Sequence, residues 1–377
     1  MSWATPKHKL SIIVSGVEIE GWEVYEVNVS MTAVPGTFTM RLPFNREAWD
    51  ACREDRPCQI LVDGTPIVTG FIDDSDCSED GDWIDITGRC RMARLLESAP
   101  AISFAGLGIK ELAAKVVTPW FSSVTLSNAR NRTIVRGRGK KARTASEPVK
   151  INTKVGTQIE PGQTRWAVLE RLLEQAGYLA WSSGDGRELV IGKPNYDQGI
   201  QFRFFRPAPG SARATQSTVV GMHVRRSTGD RYSRVIVVGS GSGTDVNYGA
   251  KVAARYGEAK NNKDTTEGEG RDFIVPKRLI VVRSVKSTDD ATELAQAEMA
   301  RRDAQGNTLT VRASGHGQVI AGSFTTLFGT DLLATVQDEV TGLNGIYAIV
   351  ACRYSSGRGD GEETVMDLVR RGTEVTR

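Results

Sequence analysis

Apolar and polar residues alternate along the first stretch of the chain, Lys9 to Leu96, and turn-forming residues interrupt the alternation at short intervals. Val27, Val29 and Met31 alternate with Glu26, Asn28 and Ser30. Phe38, Met40 and Leu42 alternate with Thr37, Thr39 and Arg41, and Ile84 and Ile86 are set among Trp83, Asp85 and Thr87. A period of two turns one face of each segment to a core and the other to water, so this stretch reads as a series of short strands. Pro35-Gly36, Asp63-Gly64 and Asp80-Gly81 supply turns, through the preset φ of proline and the positive φ that Gly and Asp tolerate. An antiparallel barrel or sandwich fits it.

The period then changes. Leu107, Ile109, Leu112, Ala113, Val116 and Val117 recur at helical spacing until Pro119. A second helix starts after Gln163-Thr164, carries the stripe Trp166, Leu169, Leu172, Leu173 and Ala176, and stops at Gly177. Tyr178 to Trp181 and Leu189 to Ile191 predict a hairpin around Gly184-Asp185-Gly186, which completes a small α/β domain over roughly Pro100 to Pro194. The proline-flanked stretch Arg203 to Gly210 reads as a boundary, with strands returning at Val219 to Arg225 and Ser233 to Val238. A third helix has Asp289 and Asp290 at its start, Leu294, Ala297, Met299 and Ala300 as its stripe, and Arg301 and Arg302 toward its end before Gly306. Strands follow at Leu309 to Ala313, Phe324 to Phe328, Leu332 to Val336, Ile346 to Val350 and Val365 to Val369.

The late part of the chain echoes the early part. Ile60 to Gly64 and Val68 to Ile72, then an acidic turn, then Trp83 to Ile86, parallel Thr335 to Asp338 and Gly345 to Ile349, then Gly359-Asp360-Gly361, then Val365 to Leu368. A duplicated barrel explains the echo, and so does the general likeness of any two hairpin series.

Composition narrows the class. The 377 residues allow two to three domains, and 40% hydrophobic with 25% charged residues describe a globular chain with no run of membrane-spanning length. Glycine is frequent, 39 residues, as many tight turns between strands require. The formal net charge of +3 is too small to imply a polyanion partner by itself. Five cysteines without a C-x-x-C pair and three histidines scattered along the sequence (His8, His223, His316) argue against a zinc site or a disulfide scaffold. Lys7, His8 and Lys9 stand where a secretory signal would have its apolar stretch, so the chain is expected in a cytoplasm.

No segment has a catalytic signature. Arg234 to Val238 runs into Gly239-Ser240-Gly241-Ser242-Gly243, but the glycine spacing does not match a dinucleotide loop and the segment reads as a flexible turn. His316, in Ser314-Gly315-His316-Gly317, reads as a solvated turn histidine without a triad setting. The pairs Asp73-Asp74 and Glu362-Glu363 have the chemistry of glycoside hydrolysis, yet their turn-rich surroundings fit solvation equally well. No catalytic, cofactor or metal residue is assigned.

Arg130 to Arg143 is the most unusual segment, with seven cations in fourteen residues and no acid. Self-repulsion predicts a mobile loop. Arg136, Arg138, Lys140, Lys141 and Arg143 are its candidate partner contacts, toward an acidic protein surface or nucleic acid, although the run lacks aromatics to stack on bases. Gly257 to Gly270 reads as disordered until a partner orders it.

The layout resembles the baseplate hub protein of Mu-like contractile-tailed phages. The resemblance rests on Gly21-Trp22-Glu23-Val24-Tyr25, Phe38 to Pro43, Val62-Asp63-Gly64 and Gly70 to Asp73 in order. It continues through Gly88-Arg89, Leu95 to Ser98, Trp166 to Leu172, Gln175 to Tyr178 and the helix Ala295 to Ala304. It implies a fold similar to the hub of T4-like phages and the hub region of VgrG spikes: mixed α+β and β-dominated. Two small antiparallel β-barrel domains would occupy residues 1–98 and 206–238 plus 306–377, with an α/β domain at 99–205 and a loop and helix insertion at 239–305. It further implies a structural part of the virion without enzymatic activity or cofactor. That part would be a homotrimer joining the sixfold tail tube protein to the threefold central spike protein, beside baseplate wedge proteins and the tape-measure protein, with DNA passing through its lumen. A secretion-system spike hub, a carbohydrate-cleaving enzyme and a nucleic-acid binder are the alternatives.

Overall fold

A computed structural model of the chain describes residues 8–100, 109–127, 131–136, 143–148, 162–176, 178–227, 229, 231–239, 256–260, 278–283, 288–320, 324–357 and 361–373. The alternating first stretch forms β1 (Leu10–Val14), β2 (Val17–Ile19), β3 (Val24–Ser30), β4 (Thr37–Pro43), β5 (Pro57–Val62), β6 (Thr65–Cys77) and β7 (Trp83–Cys90). Helix α1 (Arg46–Ala51) lies between β4 and β5, and α2 (Ala93–Glu97) follows β7. The inward positions of the alternation, including Val27, Phe38, Met40, Ile60, Ile72, Ile84 and Ile86, are the buried ones.

The next module holds α3 (Ile109–Val117), β8 (Ser123–Ser127), β9 (Asn131–Arg136), β10 (Arg143–Pro148), α4 (Arg165–Ala176), β11 (Leu179–Ser182) and β12 (Glu188–Gly192). Trp166, Leu169 and Leu173 of the α4 stripe are buried. Strands β11, β12 and β8 form a three-stranded sheet, with the expected hairpin between β11 and β12. The module is seated on the first strands by Arg91, which donates to the carbonyls of Gly186 at 2.9 Å and Trp120 at 3.2 Å.

The remainder comprises β13 (Ile200–Arg206), β14 (Gly221–Arg226), β15 (Arg234–Gly239), β16 (Tyr256–Lys260), β17 (Arg278–Arg283), α5 (Thr288–Gly306), β18 (Asn307–Ser314), β19 (Gly317–Ile320), β20 (Phe324–Leu327), β21 (Leu333–Asp338), β22 (Leu343–Gly357) and β23 (Gly361–Arg370). A mainly antiparallel sheet of thirteen strands runs β14-β18-β23-β22-β3-β4-β7-β6-β5-β1-β2, with β21 on β22 and β13 on β21. The fold is mixed α+β and β-dominated.

Two sets of six strands within this sheet share one order. The first reads β3-β4-β7-β6-β5-β1 and the second β14-β18-β23-β22-β21-β13, which in both cases is second, third, sixth, fifth, fourth, first along the chain. The echo between the early and late runs falls on β5–β7 and β21–β23. Even the irregularities correspond, because the register shifts between Ile72 and Asp74 in β6 and between Ile349 and Ala351 in β22. The first strands differ: β1 is antiparallel to β5, whereas β13 is parallel to β21. The second set curls so that Thr218, just before β14, meets β13, its amide donating to the Phe205 carbonyl at 3.1 Å and its hydroxyl accepting from the Phe205 amide at 2.8 Å.

Three boundaries depart from the expected ones. Residues 200–205, assigned to the α/β domain, lie in β13, where Phe202, Phe204 and Phe205 enter the core of the second set. The proline-flanked stretch from Arg203 therefore marks the end of a core strand. Arg234 to Val238, assigned to the second barrel, forms β15 in the middle of a separate sheet, β16-β15-β17, packed on α5. The physical reason is that Val235 and Val237 are satisfied locally by Ala291, Ala295 and Met299, spaced four apart on α5. Gly257 to Lys260, read as part of a disordered segment, belongs to β16; positions 261–270 lie outside the described residues. These elements make up a second compact unit, mainly His223–Leu309, distinct from the unit formed mainly by residues up to Met222 with Thr310–Arg371.

Candidate assembly site

Among the described residues, a single strand pairing joins the two six-stranded sets inside one chain. β3, the second strand of the first set, runs antiparallel to the outer half of β22, the fifth strand of the second, over Ser30↔Ala351 to Tyr25↔Ser356. The length of β22 allows this: its first residues pair with β21 and its last with β3, while β23 follows the opposite edge. Inward-facing Val27 and Tyr354 meet across the joint, and both are buried.

A polar cluster closes the same joint. His316 is 0% exposed. Its Nδ1 lies 2.9 Å from Thr364 Oγ1, and that hydroxyl donates to the Gly315 carbonyl at 2.8 Å, so Nδ1 carries the hydrogen. Nε2 is then the acceptor for the Tyr25 hydroxyl at 2.6 Å. The His8 ring stacks on His316 at 5.6 Å, and the Tyr354 ring meets it edge-on at 5.4 Å. His8 Nδ1 donates to Asp63 at 2.6 Å, its amide donates to Glu362 at 2.8 Å, and the Lys9 amide donates to the other Asp63 oxygen at 2.8 Å. Burial, and then the neighbouring His8, push the His316 pKa down to about 4. Burial and the charge of Glu362 raise that of the Tyr25 phenol. The cluster pins the two sets together, with His8, Tyr25 and Asp63 from the first and His316, Tyr354 and Thr364 from the second; His316 is bonded on both nitrogens, whereas the buried His8 Nε2 has no hydrogen-bond partner among the described residues.

This corrects the reading of His316 as a solvated turn residue. Its segment is a turn, but β3 and β23 cover it. Scattered positions in the sequence also did not keep His8 and His316 apart in space. No local signal could have shown this, since the partners lie up to about three hundred residues away along the chain.

One member of each suspected carboxylate pair is engaged in an ion pair. Asp73 accepts two bonds from Arg89 at 2.5 and 2.9 Å, and Glu363 accepts two from Arg312 at 3.0 and 2.7 Å. Among the described residues no group of three or more His, Cys, Asp or Glu is placed to hold a metal, and no helix is long and apolar enough to cross a membrane. All five cysteines are free.

The basic segment is partly a hairpin. β9 and β10 pair antiparallel from Asn131↔Pro148 to Arg136↔Arg143, which places two of the five candidate contacts opposite each other at the hairpin's end. Arg138, Lys140 and Lys141 lie outside the described residues. The mobile-loop expectation is therefore corrected over 131–136 and 143–148: the β-favouring run Thr133-Ile134-Val135 outweighs the charge pattern.

Known structures share this architecture. The tail protein of Neisseria meningitidis MC58 is 20% identical over 98% of both chains with a TM-score of 0.74. The 43 kDa tail protein of prophage MuSo2 from Shewanella oneidensis is 21% identical over 97% of this chain and 99% of that one, with a TM-score of 0.70. A type VI secretion system component of Escherichia coli, described as similar in structure to the T4 bacteriophage tail proteins gp27 and gp5, is 10% identical over 97% of this chain and 78% of its own, with a TM-score of 0.51. No curated protein sequence matches. The chain thus has the fold of Mu-like phage tail proteins. Within it, residues 9–90, which span β1 to β7, match the family described as Mu phage baseplate assembly protein GpP-like, N-terminal.

Proposed function

We propose that this protein is the structural baseplate hub of a contractile phage tail, a homotrimer whose three chains present six quasi-equivalent barrels. A threefold central spike protein then meets a sixfold tail tube protein at one ring. The observation that carries this reading is the repetition of one six-stranded order twice in a single chain, joined edge to edge through β3 and β22. Two copies of one architecture per chain convert threefold into sixfold symmetry without a second gene product. The baseplate family match at residues 9–90 and the end-to-end likeness to two tail proteins support the setting in a virion. The weaker likeness to a secretion-system component keeps the hub of a related injection machine as the second reading.

The role is architectural, because the most catalytic-looking group, His316, is sealed and bonded on both nitrogens. Arg136, Arg138, Lys140, Lys141 and Arg143 serve in this reading as a contact for tube, spike, wedge or tape-measure proteins, or face DNA in the lumen. Light scattering tests the ring: a mass of about 123 kDa, three times the 41.0 kDa chain, is expected. Purified tails should contain three copies per baseplate. A copy number of six, or absence from tails, overturns the proposal. Reversing Arg136, Arg138, Lys140 and Lys141 to Glu should impair virion assembly or DNA ejection, and normal particles with normal ejection remove the basic segment from the interface.

A further inference from the structure

Each six-stranded set offers two edges of the same kind, and the chain uses only one combination internally. In the joint that exists, the second strand of the first set lies along the outer half of the fifth strand of the second. The unused counterparts are β14, the second strand of the second set, and β6, the fifth strand of the first. Among the described residues β14 has β18 as its strand neighbour and ends the sheet. β6 pairs with β7 as far as Cys77, but with β5 only up to Phe71, so among the described residues no strand pairs with the other side of Asp74–Cys77.

The matching register shifts align the two fifth strands residue by residue. Ile72 corresponds to Ile349 and Asp74 to Ala351, so Asp74–Cys77 occupies the place of Ala351–Tyr354, the stretch against which β3 lies. The open edge of β6 is thus the structural equivalent of an edge that a second strand already covers elsewhere in the molecule.

Charge selects the partner. Asp74 and Asp76 are exposed on β6, and His223, Arg225 and Arg226 are exposed on β14. At the internal joint the signs are exchanged, with exposed Glu26 on β3 and exposed Arg353 on β22. β14 therefore suits β6, and β3 suits β22. Placing β3 on β6 in the same register would set Glu26 diagonally across from Asp76, a like-charge arrangement that disfavours the wrong pairing.

We infer that β14 of one copy of this chain adds as a strand to the Asp74–Cys77 edge of β6 in a second copy. This inference rests on the ring reading and names its interface. Two different surfaces meet, so the contact is heterologous and repeats around a ring instead of ending at a dimer. Backbone pairing supplies affinity, and the Arg–Asp contacts set partner and register. The bland account of the same charges is that they blunt two sheet edges against any pairing.

The test is the solution mass of three variants beside the parent chain. Asp74→Lys with Asp76→Lys, and separately Arg225→Glu with Arg226→Glu, should each weaken association by about a hundredfold, as like charges at an interface do. The combined fourfold variant should regain the parent mass, which also shows that both halves fold. If the parent is a trimer and both charge reversals leave it a trimer, the strand assignment fails while the ring reading stands. If the parent remains at 41.0 kDa at every concentration, both fail together. Should a reversal variant not fold, Asp76→Cys combined with Arg225→Cys decides. Oxidation should give chain-to-chain crosslinks on a non-reducing gel that neither single variant gives, and monomer alone overturns the pairing.

Discussion

His316 is held neutral between the hydroxyls of Tyr25 and Thr364, with a folded pKa near 4 against an ordinary 6.5. The unfolded chain therefore takes up this proton first as the pH falls. The stabilisation is complete above about pH 6.5 and is lost progressively toward pH 4, amounting to about 3 kcal/mol at roughly 1.4 kcal/mol per pH unit. Urea unfolding of His316→Gln should show a correspondingly smaller loss between pH 6.5 and 4 than the parent, and identical pH slopes would refute the assignment. Arg206 poses a second residue-level question. It donates to Asp338 at 2.8 and 2.6 Å, and the Asp338 side chain is 0% exposed. Burial would raise the Asp338 carboxyl, but Arg206, Thr341 and the Val340 amide together lower it. Arg206→Ala leaves a buried carboxylate short of its cation and should cost about 3 kcal/mol at pH 7. The penalty should shrink in acid as Asp338 protonates; a penalty independent of pH would point to lost packing instead.

Among the elements, the close pairing of β6 and β7 depends on the absence of side chains at Gly70, opposite Cys90, and at Gly88, opposite Ile72. A Cβ at Gly70 would lie 2.0 Å from the Arg89 carbonyl oxygen, and one at Gly88 would lie 2.3 Å from both the Phe38 ring and the Phe71 carbonyl oxygen. Neither backbone can give way without opening the ladder, so Gly88→Ala should destabilise by about 3 kcal/mol in a denaturant titration. A loss below 1 kcal/mol would mean that the strands separate easily. Helix α1 is much less sensitive. Its N-cap Asn45 accepts from the Glu47 amide at 2.8 Å and the Ala48 amide at 3.3 Å, so Asn45→Ala should cost about 1 kcal/mol.

For the whole molecule, the distinctive feature is the duplicated strand order and the unequal use of its edges. If the ring closes through β14 and β6, exposed charges contribute to its closure, and salt must loosen it. The screening length falls from about 30 Å at 0.01 M to about 10 Å at 0.1 M salt, so the trimer should dissociate at higher protein concentration as salt is raised. Sedimentation across a salt series reads this directly; an association strengthened by salt would identify an apolar interface in place of a charged one. The internal β3–β22 joint, backed by the buried His316 cluster, should be insensitive over the same range.

Much of this was legible in the residue pattern. Alternation located β3, β4, β7 and β18, helical spacing located α3 and α4, and the echo of β5–β7 in β21–β23 pointed to duplication, because periodicity records which face of a segment is buried and burial is a local property of each strand or helix. Tertiary structure alone decided that Phe202, Phe204 and Phe205 belong to the second set and that Val235 and Val237 face α5. It also decided that His8 and His316 share one site and that β22 serves both sets at once. Those outcomes depend on register and partner choice between segments far apart in the chain, which a period of two or of 3.6 does not encode.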